Sequence, residues 1–182
     1  MKLAIVIGHN SRAQGAVRAT DGRTEYDWNG ELAGLIQQHD PSSIRVFQRT
    51  PGLGYSREID EVYRQTDVWG AEMTMELHFN ASANATASGC LMLSSGTRGS
   101  LVLAKSLQTA CLGVMEGRDR GVVVRQRRDR GGRSLWQGKA PAVLTEPYFG
   151  SNAAECMRAG ANIDQLAEAH YRAALAFVAE AA

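Results

Sequence analysis

Cysteine is scarce in this chain of 182 residues: Cys90, Cys111 and Cys156 are odd in number, far apart and without CxxC spacing. That excludes a disulfide framework and a cysteine-based zinc site, and leaves three small core residues suited to a reducing compartment. An excess of charge of one sign is also missing. With 20 Lys and Arg against 19 acids the net charge is +1, so the molecule as a whole has no strong pull on nucleic acid or an anionic membrane. No apolar stretch approaches the ~20 residues that cross a bilayer, so membrane insertion is not expected. The opening Met-Lys-Leu-Ala-Ile-Val-Ile-Gly carries one positive charge, but its apolar run is too short for a signal peptide and no small-residue cleavage site follows. We therefore expect synthesis and folding in the cytoplasm without a signal peptide. Repeats, low-complexity tracts and interdomain linkers are absent too.

What the chain does have is enough apolar material for one domain. A hydrophobic content of 44% over 182 residues supports a buried core without disulfides or oligomerisation, and we expect a single catalytic domain over 1–182. Residues 3–7 form a continuous aliphatic run ending at Gly8-His9-Asn10, the pattern of a strand buried on both faces. After a polar, glycine-containing loop over 11–23, Thr24 is a plausible N-cap for a helix carrying Trp28, Leu32, Leu35 and Ile36. Residues 44–48 read as a second strand, and Pro51-Gly52-Leu53-Gly54 as turn material. A helix from about 57 to 65 follows, with Ile59, Val62 and Tyr63 on one side. Residues 73–79 alternate in the period of a strand that His78 closes.

Further on, 80–89 reads as loop and 90–93 as a short strand, and Leu103, Leu107, Cys111 and Val114 mark a helix from about residue 100. Residues 121–124 and 142–145 read as strands, with a basic loop over 125–133 between them. The final helix, 163–179, presents Ile163, Leu166, Ala167, Tyr171, Ala174, Leu175 and Val178 as an apolar stripe. Strands alternating with helices predict an α/β fold: a twisted, mainly parallel sheet flanked by helices on both faces.

Four residues of one chemical kind fall where such folds place their chemistry, just after strands or at a helix start: His9, Glu25, His78 and Glu146. Catalytic zinc takes three protein ligands from the His and carboxylate set and keeps a position for water, while an unligated Glu handles protons. Two His and two Glu meet that need. Each residue also has a plain explanation. A lone His after a strand is more often a hydrogen-bonded residue than a ligand, and a first-turn Glu is favoured by the helix dipole. Glu31 rivals Glu25 but lies further along the helix. A surface acid fits poorly between an aliphatic strand and Pro147. His39 and His170 read as ordinary surface or core residues.

The strings around these residues resemble the zinc-dependent N-acetylmuramoyl-L-alanine amidases, peptidoglycan-cleaving enzymes of phosphorylase/hydrolase-like fold. In the family's order come Gly8-His9-Asn10, Glu25-Tyr26-Asp27-Trp28-Asn29, Glu76-Leu77-His78-Phe79-Asn80-Ala81 and 141–152 (PAVLTEPYFGSN). The resemblance implies that His9, Glu25 and His78 bind one zinc ion (Zn2+) and that Glu146 is the catalytic carboxylate. It implies peptidoglycan as substrate, cut between N-acetylmuramic acid and L-alanine, with no obligate protein partner evident. Two positions depart from the family: Asn10 stands where a second glycine is usual, and Glu76 where a serine is common. The segment between His78 and Glu146 is taken up by the fold's own elements, so no extra regulatory helix is expected. The chain therefore resembles the catalytic domain of a phage or prophage lysin, without a wall-binding module, reaching the wall after the membrane is permeabilised.

Asn80 is placed to donate a hydrogen bond to a substrate carbonyl, although turn formation explains it equally well. The arginines at 118, 120, 125, 127, 128, 130 and 133 are the strongest local charge bias. A solvated loop explains them most simply; if functional, Arg127 and Arg128 would attract the carboxylates of an acidic stem peptide. Two alternatives remain open. A noncatalytic nucleic-acid binder using 118–133 leaves the His and Glu set unexplained, and a zinc carboxypeptidase places a Glu three positions after the first His, where this chain has Arg12.

Overall fold

At the centre of the computed structural model, which describes residues 1–181, lies a six-stranded sheet in the order β2-β1-β3-β6-β4-β5. β1 (Leu3–Ile7) is buried along its whole length, which is why it has no polar alternation. It pairs in parallel with β2 (Ile44–Gln48) on one side and β3 (Met73–Leu77) on the other. β6 (Ala142–Glu146) continues the parallel run beside β3. β4 (Cys90–Ser94) then joins β6 antiparallel and pairs in parallel with β5 (Asp119–Val124). A mainly parallel sheet is thus what the strand and helix alternation produces.

Helices cover both faces. On one, α1 (Glu25–His39), α3 (Arg98–Met115) and α6 (Ile163–Ala181) pack on Leu3, Ile5, Ile7, Met73, Met75 and Leu77. On the other, α2 (Tyr55–Trp69) and α4 (Gly132–Gln137) close over Ala4, Val6, Ala142 and Leu144. α5 (Ala153–Ala161) leads into α6. The chain leaves β1 for β2 on one side, then crosses to β3 on the other. That reversal puts the carboxyl ends of β1 and β3 at a topological switch point, where open sheets place their ligands.

Several expectations need correcting. α4 and α5 were not anticipated, since both are short and the first opens on Gly131 and Gly132. α2 is longer at both ends than 57–65. In β3 the alternation is real, but its polar positions Thr74 and Glu76 are as buried as the methionines, because α2 covers that face. In α6, Leu175 and Val178 are 44% and 37% exposed, while Ala173, Phe177 and a fully buried His170 face inward. All three cysteines are free and buried. Among the described residues no helix is long and apolar enough to cross a membrane.

Candidate active site

His9 leaves β1 through a passage only glycine permits. A Cβ on Gly8 would stand 2.4 Å from the Leu77 carbonyl oxygen and 2.5 Å from His78 Cε1. His9 itself has φ 68°, in the left-handed region that non-glycine residues rarely occupy. Asn10 holds the turn: its Oδ1 accepts from the amides of Arg12 at 2.9 Å and Ala13 at 2.8 Å, and its Nδ2 donates to Glu58 Oε2 at 2.7 Å. Gly15 makes room on the opposite side, where a Cβ would come within 2.7 Å of both His9 and Glu25.

Glu25 begins α1, whose N-cap Thr24 accepts from the Asp27 amide at 3.1 Å. The cap therefore sets the direction of the Glu25 carboxylate. Oε1 meets His78 Nδ1 at 2.7 Å and accepts from the Phe79 amide at 3.2 Å. Oε2 meets His9 Nε2 at 3.1 Å and accepts from the Ala16 amide at 3.3 Å. Burial works against the charge, yet hydrogen bonds from His78 and His9 outweigh it and hold Glu25 well below the usual carboxylate range.

His78 follows β3 and lies between two carboxylates, with Nδ1 on Glu25 and Nε2 3.0 Å from Glu76 Oε1. Burial alone would lower its pKa; the hydrogen bonds to Glu25 and Glu76 prevail and push it up to about 9. His9, Glu25 and His78 offer one ligand atom each, all within 4.8 Å of one another, the one such grouping among the described residues. The His9 side chain remains 31% exposed, so the group is reachable from solvent.

Glu146 ends β6. Asn80 Nδ2 donates to its Oε2 at 2.8 Å, while Asn80 Oδ1 accepts from the Ala81 amide at 2.9 Å. The backbone of Asn80 is tied to Tyr148 and Gly150 at 2.8 Å each, which draws the two segments together. Asn80 thus orients the carboxylate from a backbone bridged in parallel to Phe149. Burial raises the Glu146 pKa, with the His78 charge opposing it.

These side chains line a cleft of about 660 Å³. Its arginines are Arg49, Arg125 and Arg130. Arg127 instead donates to Gln137 Oε1 at 2.8 Å, and neither it nor Arg128 lines the cleft. Arg133 is held by Asp60 at 2.6 Å. α4 follows this loop and closes one wall through Ser134, while residues 126–130 of the loop are exposed to solvent. The structure thus does not bring Arg127 and Arg128 to the cleft, since composition marks the loop but not which arginines its turns aim inward. A larger groove of about 890 Å³ between α3 and α6 gathers no comparable set of catalytic groups.

The sequence profile described as N-acetylmuramoyl-L-alanine amidase (Amidase_3) matches residues 3–176. No curated protein matches the chain by sequence. Among solved structures, the N-acetylmuramoyl-L-alanine amidase from Clostridium difficile 630 is 23% identical, with TM-score 0.81 over 98% of this chain and 97% of that one. The catalytic domain of CwlV, an amidase of the same description from Bacillus (Paenibacillus) polymyxa var. colistinus, is 17% identical, with TM-score 0.80 over 98% and 99%. The catalytic domain of the CD27L endolysin targeting Clostridia difficile is 22% identical, with TM-score 0.79 over 96% and 97%. These three likenesses extend to the whole fold.

Proposed function

The chain belongs to the N-acetylmuramoyl-L-alanine amidase family, and from that premise we propose that it is a zinc-dependent lysin cutting peptidoglycan between N-acetylmuramic acid and the L-alanine of the stem peptide. The observation that carries the zinc reading is the convergence of His9 Nε2, His78 Nδ1 and the Glu25 carboxylate. Two imidazoles and one carboxylate are a catalytic zinc donor set, and their closeness, with His78 drawn toward the charged form, marks a place built for positive charge. His9, Glu25 and His78 would hold the ion. When bound, zinc supplies a Lewis acid for the amide carbonyl and lowers the pKa of water toward ~7.

The chain's own residues do the rest. Glu146 Oε2 is fixed by Asn80, and the carboxylate stands in the same cleft as the three donors. It accepts the proton of the attacking water and passes it to the departing amine of L-alanine, since an amine anion is too poor a leaving group. Its burial helps, because a raised pKa makes the carboxylate a stronger base toward water and moves it closer to neutrality, where both of its protonation states are in reach. Arg125 and Arg130 draw the stem-peptide carboxylates toward the cleft. The endolysin catalytic domain among the structural neighbours supports the lysin role. In that role the protein is made in the cytoplasm and meets the wall once the membrane has been opened.

Digestion of purified peptidoglycan, followed by mass analysis, tests the reaction. The expected products carry free L-alanine amino termini beside intact glycan strands, and their release stops with a chelator and resumes with zinc. New reducing ends would make the protein a glycosidase, and release unaffected by a chelator would remove the metal.

A further inference from the structure

Two carboxylates of the cleft serve neither the three-donor grouping nor the proton transfer: Glu58, which accepts from Asn10 and the Gly52 amide, and Glu76, which faces His78. Glu76 lies on β3, between β1 and β6, with no exposed surface. A bare carboxylate there would be strongly destabilising, so the protein must satisfy it internally. It does so from three directions. Arg49, just beyond β2, forms an ion pair with Oε1; Tyr63 of α2 donates to Oε2 at 2.8 Å; and His78 Nε2 stands 3.0 Å from Oε1. Arg49 is itself only 7% exposed and stacks 5.7 Å from the Tyr55 ring centroid.

A buried ion pair is a poor way to gain stability, because apolar residues of similar volume do as well or better. What Arg49 and Glu76 provide instead is a fixed anion aimed at one nitrogen of one ring. An imidazole presents a lone pair on either nitrogen, and the hydrogen bond made by the other decides which. Glu76 takes Nε2, which leaves Nδ1, the nitrogen turned to Glu25, as the one available to a cation. The Arg49 charge also cancels that of Glu76, so the added carboxylate does not reduce the positive charge at the donor group.

We propose that Glu76, locked by Arg49 and Tyr63, is a positioning residue that holds the proton of His78 on Nε2 and so presents Nδ1 to the metal. This rests on the zinc reading above. Loss of such an outer partner weakens metal affinity by about 10- to 100-fold. Glu76→Gln alone would leave Arg49 buried and uncompensated, so the informative variant is the double substitution Arg49→Met/Glu76→Met, which removes both charges at similar volume.

Zinc affinity is measured by competition with a chromogenic chelator, with circular dichroism of the metal-free proteins as the check on folding. The wild type and Glu146→Gln should bind one zinc with equal affinity, and the folded double variant about 10- to 100-fold more weakly. In parallel, nitrogen-15 NMR of the zinc-loaded wild type should show His78 carrying its proton on Nε2 and ligating through Nδ1, a readout that needs no substitution. Equal affinity in a folded double variant, or ligation through Nε2, would overturn the role of Glu76. A wild type that binds no zinc would overturn the metal reading itself.

Discussion

Replacing Glu146 by Gln keeps its shape and its hydrogen bond to Asn80 but removes the base. The variant should bind zinc as the wild type does and lose about 100-fold or more of kcat, measured as release of amine from a soluble muramyl-peptide. The pH profile gives a second check. Glu146 must be ionised to accept a proton, so activity falls as pH drops through its pKa, and burial places that limb above the range of an exposed carboxylate. At this scale the four candidate residues were legible because each sits at a strand end or helix start, and the structure brings them to one cleft. Glu76 was visible only as an extra acid two residues before His78; Arg49 and Tyr63, which define its role, come from segments 27 and 13 residues away. Spacing along one strand carries no information about what a helix lays against it.

Among the elements, α1 and α6 make separate demands. Thr24→Ala removes the cap that starts α1, at a cost of about 1 kcal/mol, and lets Glu25 wander. A lower melting temperature together with weaker zinc binding is expected, both read from thermal melts across a zinc titration. In α6, His170 is fully buried with Nδ1 2.7 Å from the Leu166 carbonyl oxygen, and burial lowers its pKa from 6.5 to about 4. Because the folded value is depressed, the unfolded chain binds the extra proton first. Stability is therefore full above about pH 6.5 and falls as pH drops toward 4, by at most about 3 kcal/mol. Denaturant midpoints at pH 7 and pH 5 should converge in His170→Leu relative to wild type. Helical spacing places α6 correctly, yet its stripe drifts at the far end, where Phe177 turns inward and Leu175 and Val178 outward. α4 escaped notice because six residues opening on glycine have no period to detect.

At the scale of the whole molecule, the proposed zinc would compete with protons for one place. Without metal, His78 bridges Glu25 and Glu76 as an imidazolium with a pKa near 9. A folded value raised above 6.5 stabilises the metal-free protein at low pH and is lost as pH rises through about 9. The zinc form should behave oppositely, since its ligands must be deprotonated. Melting temperatures in chelator should thus fall between pH 6.5 and 9, and the gain from zinc should grow over the same interval; parallel curves would mean that the ion does not use His78. Free zinc at 100 times its Kd adds about 2.7 kcal/mol. The α/β architecture was legible from alternating apolar runs. The antiparallel join of β4 to β6 was not, since strand direction depends on packing between distant segments.

The sharpest check is an anomalous difference map from a zinc-soaked crystal, recorded on either side of the zinc absorption edge. One peak bonded to His9 Nε2, Glu25 and His78 Nδ1, with the Glu146 carboxylate facing it across the cleft, is the predicted result. A map with no peak among those three side chains, or with zinc bound only elsewhere on the molecule, would contradict it.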